Sequence, residues 1–239
     1  MTAARKTPPP RTLVIDVGGT HVKCLVSAAQ DRRKFASGHG LTPRHMVEQV
    51  LEITAGWTFD RVSIGYPGVV RHGVPAREPH HLAPGWVGFD FGAAFGCPVR
   101  IVNDAAMQAL GSYRGGKMLF LGLGTGLGSA LIVGGQMVAM ELGHLRRSKR
   151  HDYEDLLGKS GYQRLGRKKW RRKVGAVVKG FSAALLPEDI VIGGGQADRL
   201  KKLPPRARLC DNSAAFLGGF RLWEDPGPAH PANSYKDLS

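Results

Sequence analysis

The stretch Leu119-Phe-Leu-Gly-Leu-Gly-Thr-Gly-Leu-Gly-Ser-Ala-Leu-Ile132 constrains this chain more than any other. Two apolar runs flank Gly122, Gly124, Thr125, Gly126 and Gly128. Glycine loses more backbone freedom on folding than any other residue, so such a density is costly inside a strand or helix. In a tight turn between two strands it has a use. Backbone N–H groups can converge there on an anion with no Cβ in the way, and the Thr125 hydroxyl adds a donor. A glycine hairpin without a ligand explains this one stretch equally well. The pattern, however, occurs twice. Thr12-Leu-Val-Ile-Asp16 is a short apolar run, Val17-Gly-Gly-Thr20 turns the chain, and His21-Val-Lys-Cys-Leu-Val26 alternates polar and apolar residues. Two such units imply two half-domains, each presenting a phosphate-sized nest, and favour ligand binding over a bare hairpin.

The segments between these turns read as alternating strands and helices. Thr42-Pro43 can cap and start a helix with Met46, Val47, Val50, Leu51 and Thr54 on one stripe. Arg61–Ile64 is a short buried strand that Gly65-Tyr-Pro-Gly68 ends in a turn. Residues 71–98 have little periodicity and read as a long loop or a pair of short strands, with Trp86, Phe89 and Phe91 packing inward. His80-His81 fits the surface better than a metal, because no acidic or cysteine partner sits at a useful spacing.

Pro98–Val102 is a further strand, followed by Asn103-Asp104 and a helix from Ala105. Asn and Asp are preferred N-caps, which explains the pair structurally. Ligands in open α/β folds also bind beyond the carboxyl ends of strands, where a carboxylate can take the proton of an attacking hydroxyl. Gly134-Gly135 makes a hairpin into Met137–Met140, and Glu141-Leu-Gly-His144 brings two polar groups toward one small ligand. Trp170, Val174, Val177, Val178, Phe181 and Leu185 fall at helical spacing and end near Pro187. Ile190–Ile192 is a strand, Gly193-Gly-Gly195 a third glycine turn, and Asn212–Trp223 a last helix. The class is α/β, with two lobes of mixed sheet.

At 239 residues, 42% hydrophobic and 22% charged, the chain has room for a sizeable core and is not of disordered composition. No apolar run reaches the ~20 residues that span a bilayer, and Met1–Pro10 has no signal-peptide apolar region. Cys24, Cys97 and Cys210 are far apart with no C-x-x-C spacing, as expected of buried thiols in a reducing cytoplasm. The net charge of +15 suits polyanions, or else serves solubility alone. It is densest in residues 145–173, which contain Arg146, Arg147, Lys149 and Arg150, then Arg167, Lys168, Lys169, Arg171, Arg172 and Lys173. The expected division is a disordered lead over 1–11, a small lobe over 12–106, a large lobe over 107–223 whose last helix could return to the small lobe, and a disordered tail over 224–239.

Asp16-Val-Gly-Gly-Thr20, Asn103-Asp104-Ala105, Gly124-Thr-Gly126, Glu141-Leu-Gly-His144 and Ile192-Gly-Gly-Gly195 occur in the order found in ROK sugar kinases, and the chain resembles that family from about Leu13 to Leu222. The resemblance implies the actin-like, hexokinase-type ATPase fold, with two lobes that close over a sugar and exclude water. It implies that Asp16, Gly18, Gly19 and Thr20, with Lys23, form a first phosphate site and that Asp16 lies near Mg²⁺. Gly124, Thr125 and Gly126 would form the second, and Gly193, Gly194 and Gly195 would back the adenosine. Asn103, Glu141 and His144 would hold sugar hydroxyls, with Asp104 binding the sugar and acting as catalytic base. Family members commonly form homodimers.

Two departures bear on this. ROK proteins commonly carry a cysteine-rich zinc motif just after the Glu-x-Gly-His segment, whereas no Cys lies between Cys97 and Cys210, so zinc is not expected. ATP-dependent members continue the second loop with further glycines, whereas Gly128-Ser-Ala130 resembles the polyphosphate glucokinase branch, as do Tyr66–Val70, His72-Gly73 and Trp86. The Phe that this branch often has before Gly-Thr is missing. The implied activity is phosphoryl transfer from polyphosphate or ATP to the 6-hydroxyl of glucose or a close hexose, in the cytoplasm. Arg167, Lys168, Lys169, Arg171 and Arg172 offer a polyphosphate track. The alternatives are an ATP-only kinase for mannose, glucosamine or an N-acetyl sugar, and a sugar-binding regulator without turnover. Three prolines before the first strand argue against a helix-turn-helix there, so neither specific nucleic-acid binding nor membrane association is expected.

Overall fold

The computed structural model describes residues 9–27, 29–211 and 213–224. The expected disordered lead and tail lie outside the described residues except at residues 9–11 and 224, as does Asn212 at the start of the last helix. Arg11 is already fixed, exchanging backbone and side-chain hydrogen bonds with Asp60. The chain folds as two compact units that meet in sequence between Val102 and Asn103.

The first unit comprises β1 (Thr12–Val17), β2 (His21–Val26), β3 (Arg33–Ala36), α1 (Pro43–Ile53), β4 (Arg61–Tyr66), β5 (Val70–Arg71), β6 (Val74–Pro75), α2 (Phe91–Phe95) and β7 (Val99–Asn103). Its main sheet has the order β3-β2-β1-β4-β7. β1 runs antiparallel to β2 and parallel to β4, so it is central, and each of its six residues is buried. β2 buries alternate residues, as its sequence alternation predicted.

Thr42 caps α1 by accepting the His45 N–H, and Pro43, Met46, Val47 and Val50 are buried. Leu51 departs from the expected stripe and is 42% exposed. Successive i+4 steps drift around the helix, leaving Leu51 beyond the buried face. β4 also runs further than expected, through Gly65 to Tyr66, because Tyr66 is fully buried and its hydroxyl donates to the Arg77 carbonyl at 2.8 Å.

Residues 71–98 hold one of the two expected arrangements, a pair of short strands (β5–β6, which begins at Val70), and also the helix α2, which periodicity did not reveal. Asp90 caps α2 by accepting the Ala93 N–H, and Gly96 ends it in the left-handed region at φ 66°. The preceding loop folds around one carboxylate: Glu78 accepts N–H bonds from Gly85, Trp86 and Val87. Trp86 is thereby seated between Tyr66 and Phe91, with ring centroids at 5.5 and 6.0 Å.

The second unit comprises α3 (Asp104–Ser112), β8 (Lys117–Leu123), β9 (Leu127–Val133), β10 (Gln136–Met140), α4 (Tyr153–Leu157), α5 (Lys159–Leu185), β11 (Asp189–Gly193), β12 (Ala207–Leu209) and α6 (Ala214–Arg221). Its sheet, β10-β9-β8-β11-β12, has two antiparallel pairings on one side of β8 and parallel pairings on the other, matching the first around β1 in β3-β2-β1-β4. Both sheets are mixed, and the class is α/β. A boundary after Ala106 would cut through α3, whereas the helix stays whole in the second unit and packs on α6. That packing is backbone to backbone. A Cβ at Gly111 would lie 1.8 Å from the Ala214 carbonyl oxygen, and one at Gly218 1.8 Å from that of Met107. Arg221 adds donors to the carbonyls of Leu110, Gly111 and Tyr113 at the end of α3.

The basic helix α5 bends at Gly166, whose φ of 69° is non-helical. Beyond it Trp170, Val174, Val178 and Phe181 are buried, and the Trp170 indole donates to the Leu157 carbonyl at 2.9 Å. Val177 and Leu185 are only partly buried. The helix ends in a left-handed Leu186 before Pro187. Among the described residues no helix is long and apolar enough to cross a membrane.

Candidate active site

The first glycine turn links β1 to β2. Its neck is a cross-strand pair, Asp16 opposite Lys23, with Lys23 Nζ 3.4 Å from the Asp16 carboxylate. Asp16 is 8% exposed, and burial raises its carboxyl above the ordinary carboxylate range although Lys23 opposes the shift. Burial and the Asp16 charge also push the neighbouring Cys24 thiol up to about 12. The other two cysteines, Cys97 and Cys210, are half-buried rather than buried, since they sit near the unit surface. In the turn itself Gly18 N–H donates to the His21 carbonyl, and Ser37 ties the carbonyls of Gly18 and Thr20 with its hydroxyl and its N–H. The amides of Gly19 and Thr20 donate to nothing among the described residues, and Thr20 is exposed. His81, exposed as expected, stands beside this turn: a Cβ at Gly19 would lie 3.7 Å from its own Cβ.

The second turn links β8 to β9 and is one residue shorter. Gly124 N–H donates to the Gly126 carbonyl at 3.1 Å, and the Lys159 N–H at the start of α5 caps the carbonyls of Gly124 and Thr125. Among the described residues the amides of Thr125 and Gly126 have no acceptor, and Thr125 is exposed. Each turn therefore presents two consecutive amides and a threonine hydroxyl. The glycines here serve close approach, not left-handed backbone. A Cβ at Gly126 would lie 2.2 Å from the Glu154 carboxylate, and one at Gly128 2.8 Å from the Ala105 Cβ.

That second contact locates the candidate base. Ala105 follows Asp104 in the first turn of α3, so the flat patch at Gly128 seats the start of α3 on β9, two residues beyond the turn. Asn103 caps α3 by accepting the Ala106 N–H at 3.1 Å, and one Asp104 oxygen accepts from Ala105 N–H at 2.8 Å. Both residues are half-buried. Capping and chemistry are compatible in kind, because an amide or carboxylate oxygen has more than one lone pair.

Glu141 and His144 flank a single 3₁₀ turn, Leu142–His144, with His144 Nε2 3.8 Å from Glu141 and Nδ1 3.9 Å from Asp152. Ser129 holds this segment. Its buried hydroxyl donates to the Met140 carbonyl and accepts the Leu142 N–H, both at 3.0 Å, gripping the chain on either side of Glu141. Ser129 thus faces the Glu141 segment and not the phosphate turn. Sequence reasoning missed Glu154, whose carboxylate accepts the Leu127 N–H at 3.3 Å right behind the second turn. The glycine at 126 was its only trace in the sequence.

In the third turn, Gly193 is the last residue of β11 and packs under Phe120 and Cys210. Gly194 needs glycine on both counts, with φ 82° and a Cβ position 2.5 Å from the Leu123 carbonyl oxygen. It brings the turn against the end of β8, where Gln196 N–H also donates to Leu123. Of the basic residues on α5, Arg167, Lys168, Lys169 and Arg172 are exposed, while Arg171 is half-buried and donates to the Arg199 carbonyl.

Asp16 was expected to stand near Mg²⁺. Among the described residues no group of three or more His, Cys, Asp or Glu side chains could hold a metal unaided. Mg²⁺ needs no such cage when phosphates complete its shell, since one or two carboxylates suffice. A buried carboxylate beside two open amides fits that mode.

The model of the ROK family matches residues 12–158, more than half of the chain. The chain is 27% identical over 234 residues to the polyphosphate glucokinase of Mycobacterium leprae, covering 85% of this chain and 72% of that protein. It is 28% identical to the polyphosphate glucokinase of Mycobacterium tuberculosis, with 80% of each chain covered. Among solved structures, the inorganic polyphosphate/ATP-glucomannokinase from Arthrobacter sp. strain KM superposes with a TM-score of 0.76 at 25% identity, covering 88% of this chain and 96% of that one. A ROK family glucokinase from Streptomyces griseus, in complex with glucose and AMPPNP, shares the fold with a TM-score of 0.72 at 18% identity, covering 89% and 98%. The paired sheets are those of the actin-like, hexokinase-type fold, and with its motifs on the matching turns the chain belongs to the ROK family.

Proposed function

We propose that this protein is a phosphotransferase that moves a phosphoryl group from polyphosphate or ATP to the 6-hydroxyl of glucose. The observation that supports this most is the pair of turns with open amides, Gly19–Thr20 and Thr125–Gly126, together with the seating of Ala105, the residue after Asp104, on Gly128. Asn103, Glu141 and His144 orient the hexose by its hydroxyls. Asp104 accepts the 6-hydroxyl proton as the new O–P bond forms and the donor's P–O bond breaks, the departing phosphate carrying away the charge. The open amides and the Thr20 and Thr125 hydroxyls stabilise the equatorial oxygens of the group in transit. Mg²⁺, held by Asp16, would neutralise phosphate charge when bound. Lys23 supplies a further cation at the first turn, the Gly193–Gly195 turn takes the adenosine of a nucleotide donor, and the exposed cations of α5 favour a polyanionic donor.

The test is a matrix of donors against hexoses. Long-chain polyphosphate, tripolyphosphate and ATP are each supplied with glucose, mannose, glucosamine and N-acetylmannosamine, and products are read by ³¹P NMR. N-acetylmannosamine belongs in the panel because a putative N-acetylmannosamine kinase from Listeria monocytogenes shares the fold, with a TM-score of 0.68. Glucose 6-phosphate from polyphosphate is the expected strongest signal. Absence of transfer from every donor to every hexose would overturn the reading.

A further inference from the structure

Between His144 and Glu154 the chain leaves the body of the second unit as a small hairpin. It is closed by the bridge between Arg146 and Asp152, by donation from Arg147 and Ser148 N–H to the His151 carbonyl at 3.0 Å, and by Tyr153 N–H to Leu145. Its tip, Arg146-Arg-Ser-Lys-Arg150, carries four cations in five residues, all exposed. The carboxylates at its base are engaged with each other's backbone and with histidine. Asp152 caps Asp155 N–H at 2.8 Å, Asp155 accepts Asp152 N–H and lies 3.4 Å from His151 Nδ1, and Asp152 lies 3.9 Å from His144. Among the described residues, none of the four tip cations forms an ion pair. Four like charges held in one exposed hairpin repel one another, which disfavours the fold unless an anion is there to meet them.

Both stems of the hairpin are anchored to the second glycine turn. On one side Gly143 packs against the Leu127 carbonyl oxygen, where a Cβ would come within 2.7 Å. On the other, Glu154 accepts the Leu127 N–H. Leu127 is the first residue after the turn. The cluster Arg167, Lys168, Lys169 and Arg172 of α5 lies further along, beyond the bend at Gly166, with Arg167 eight residues from the Lys159 that caps the turn. At ~1.5 Å per residue that is roughly 12 Å of helix.

We propose that Arg146, Arg147, Lys149 and Arg150 form an arm that grips the part of a polyphosphate chain lying outside the glycine turns, and so select long chains over short ones. This deepens the donor reading above and rests on it. The ligand class follows from what the arm lacks. Residues 145–152 contain no Phe, Tyr or Trp on which a base could stack, so what the arm chiefly offers is charge. A bare phosphate chain needs only that.

The experiment compares R146Q/R147Q/K149Q/R150Q with the wild-type protein, using long-chain polyphosphate, tripolyphosphate and ATP as donors to glucose. For the long chain, KM should rise at least ~10-fold and its log–log salt dependence should flatten by about 1 per cation removed. The KM values for tripolyphosphate and ATP should move less than about 2-fold, because a short donor does not reach a charge-only arm. R146K/R147K/R150K should restore the long-chain KM, which a merely structural role for the arginines would not do. If the quadruple variant fails to fold, R146Q/R147Q and K149Q/R150Q should each show part of the effect. An unchanged long-chain KM, an equal rise for all three donors, or the loss appearing instead in R167Q/K168Q/K169Q/R172Q would overturn the arm. So would poly-uridine RNA competing as well as polyphosphate for the wild-type protein. If the wild type itself transfers nothing from polyphosphate, the donor reading falls and the arm with it; if it does transfer and the variant matches it, only the arm falls.

Discussion

The turns Gly18–His21 and Gly124–Gly126 leave the same groups open, two successive amides and a threonine hydroxyl, yet they are braced in opposite ways. The first is braced by charge. Its neck is the Asp16–Lys23 pair, with the carboxylate buried in the central strand. The second is braced by the absence of side chains. Gly122 and Gly128 occupy the corresponding paired positions, and the space they leave is taken by the Phe120 ring at the one and by the first turn of α3 at the other. One turn thus keeps an ionisable group beside two open amides at a cost in desolvation, and the other admits a whole helix carrying a carboxylate. Duplicated scaffolds can diverge into unlike chemical halves through what occupies one cross-strand pair.

The comparison can be broken first at the helix. If the second turn matters because it seats Asp104, then Asp104→Asn should lower kcat by ~10²–10⁴, the usual contribution of a general base, while glucose binding by calorimetry survives. Turnover near wild type with sugar still bound would remove the base from Asp104. A smaller effect is expected from the seat itself. Gly128→Ala puts a methyl 2.8 Å from the Ala105 Cβ and should cost ~1–3 kcal/mol in thermal unfolding and displace the start of α3, lowering kcat. Gly124→Ala meets nothing within 4 Å and should leave the melting temperature nearly unchanged. Equal losses in the two variants would contradict the packing explanation.

Next comes Ser129→Ala, which strands the Met140 carbonyl and the Leu142 N–H. At ~1–3 kcal/mol for an unsatisfied buried group, partly relieved by water, it should loosen Glu141 and raise the hexose KM several-fold while leaving the donor KM alone. A rise in donor KM instead would return Ser129 to the phosphate side.

The smallest effect tests the charged neck. The Asp16 carboxyl is raised in the folded protein by burial, so its favourable contribution is full below the ordinary carboxylate range and is lost as pH rises through the raised value. Above that value the ionised group costs stability. Asp16→Asn should therefore melt higher at pH 7, by about 3 °C for roughly 1 kcal/mol in a chain of this size, and the gain should shrink as pH falls. Activity should drop in the same variant. A lower melting temperature at pH 7 would mean that the Lys23 pairing outweighs desolvation.

Much of the local structure that carries the candidate site was legible along the chain because it lies on strand ends and turns, where local chemistry dominates. The Asp16–Thr20 and Gly124–Gly126 turns and the Asn103 cap appear where glycine density, a threonine and an Asx pair before a helix put them. What could not be read depended on residues distant in sequence. Glu78 gathering three amides, Glu154 behind Leu127 and Ser129 across Met140–Leu142 each use one polar side chain that carries no periodic signal. The bend at Gly166 was hidden for the same reason, since one glycine in a basic helix does not announce its φ.

The sequence by itself determined the duplicated strand–turn–strand units, their α/β setting and the presence of a carboxylate after a strand, because backbone conformation follows from short-range sterics and alternating burial. Tertiary structure alone decided what the glycines were for. Their φ values are ordinary in the second turn; Gly128 is required because the Ala105 Cβ presses against it from elsewhere in the chain, and Gly126 leaves room for the Glu154 carboxylate. Close packing is a property of pairs of surfaces, and one strand of text shows only one surface of each pair.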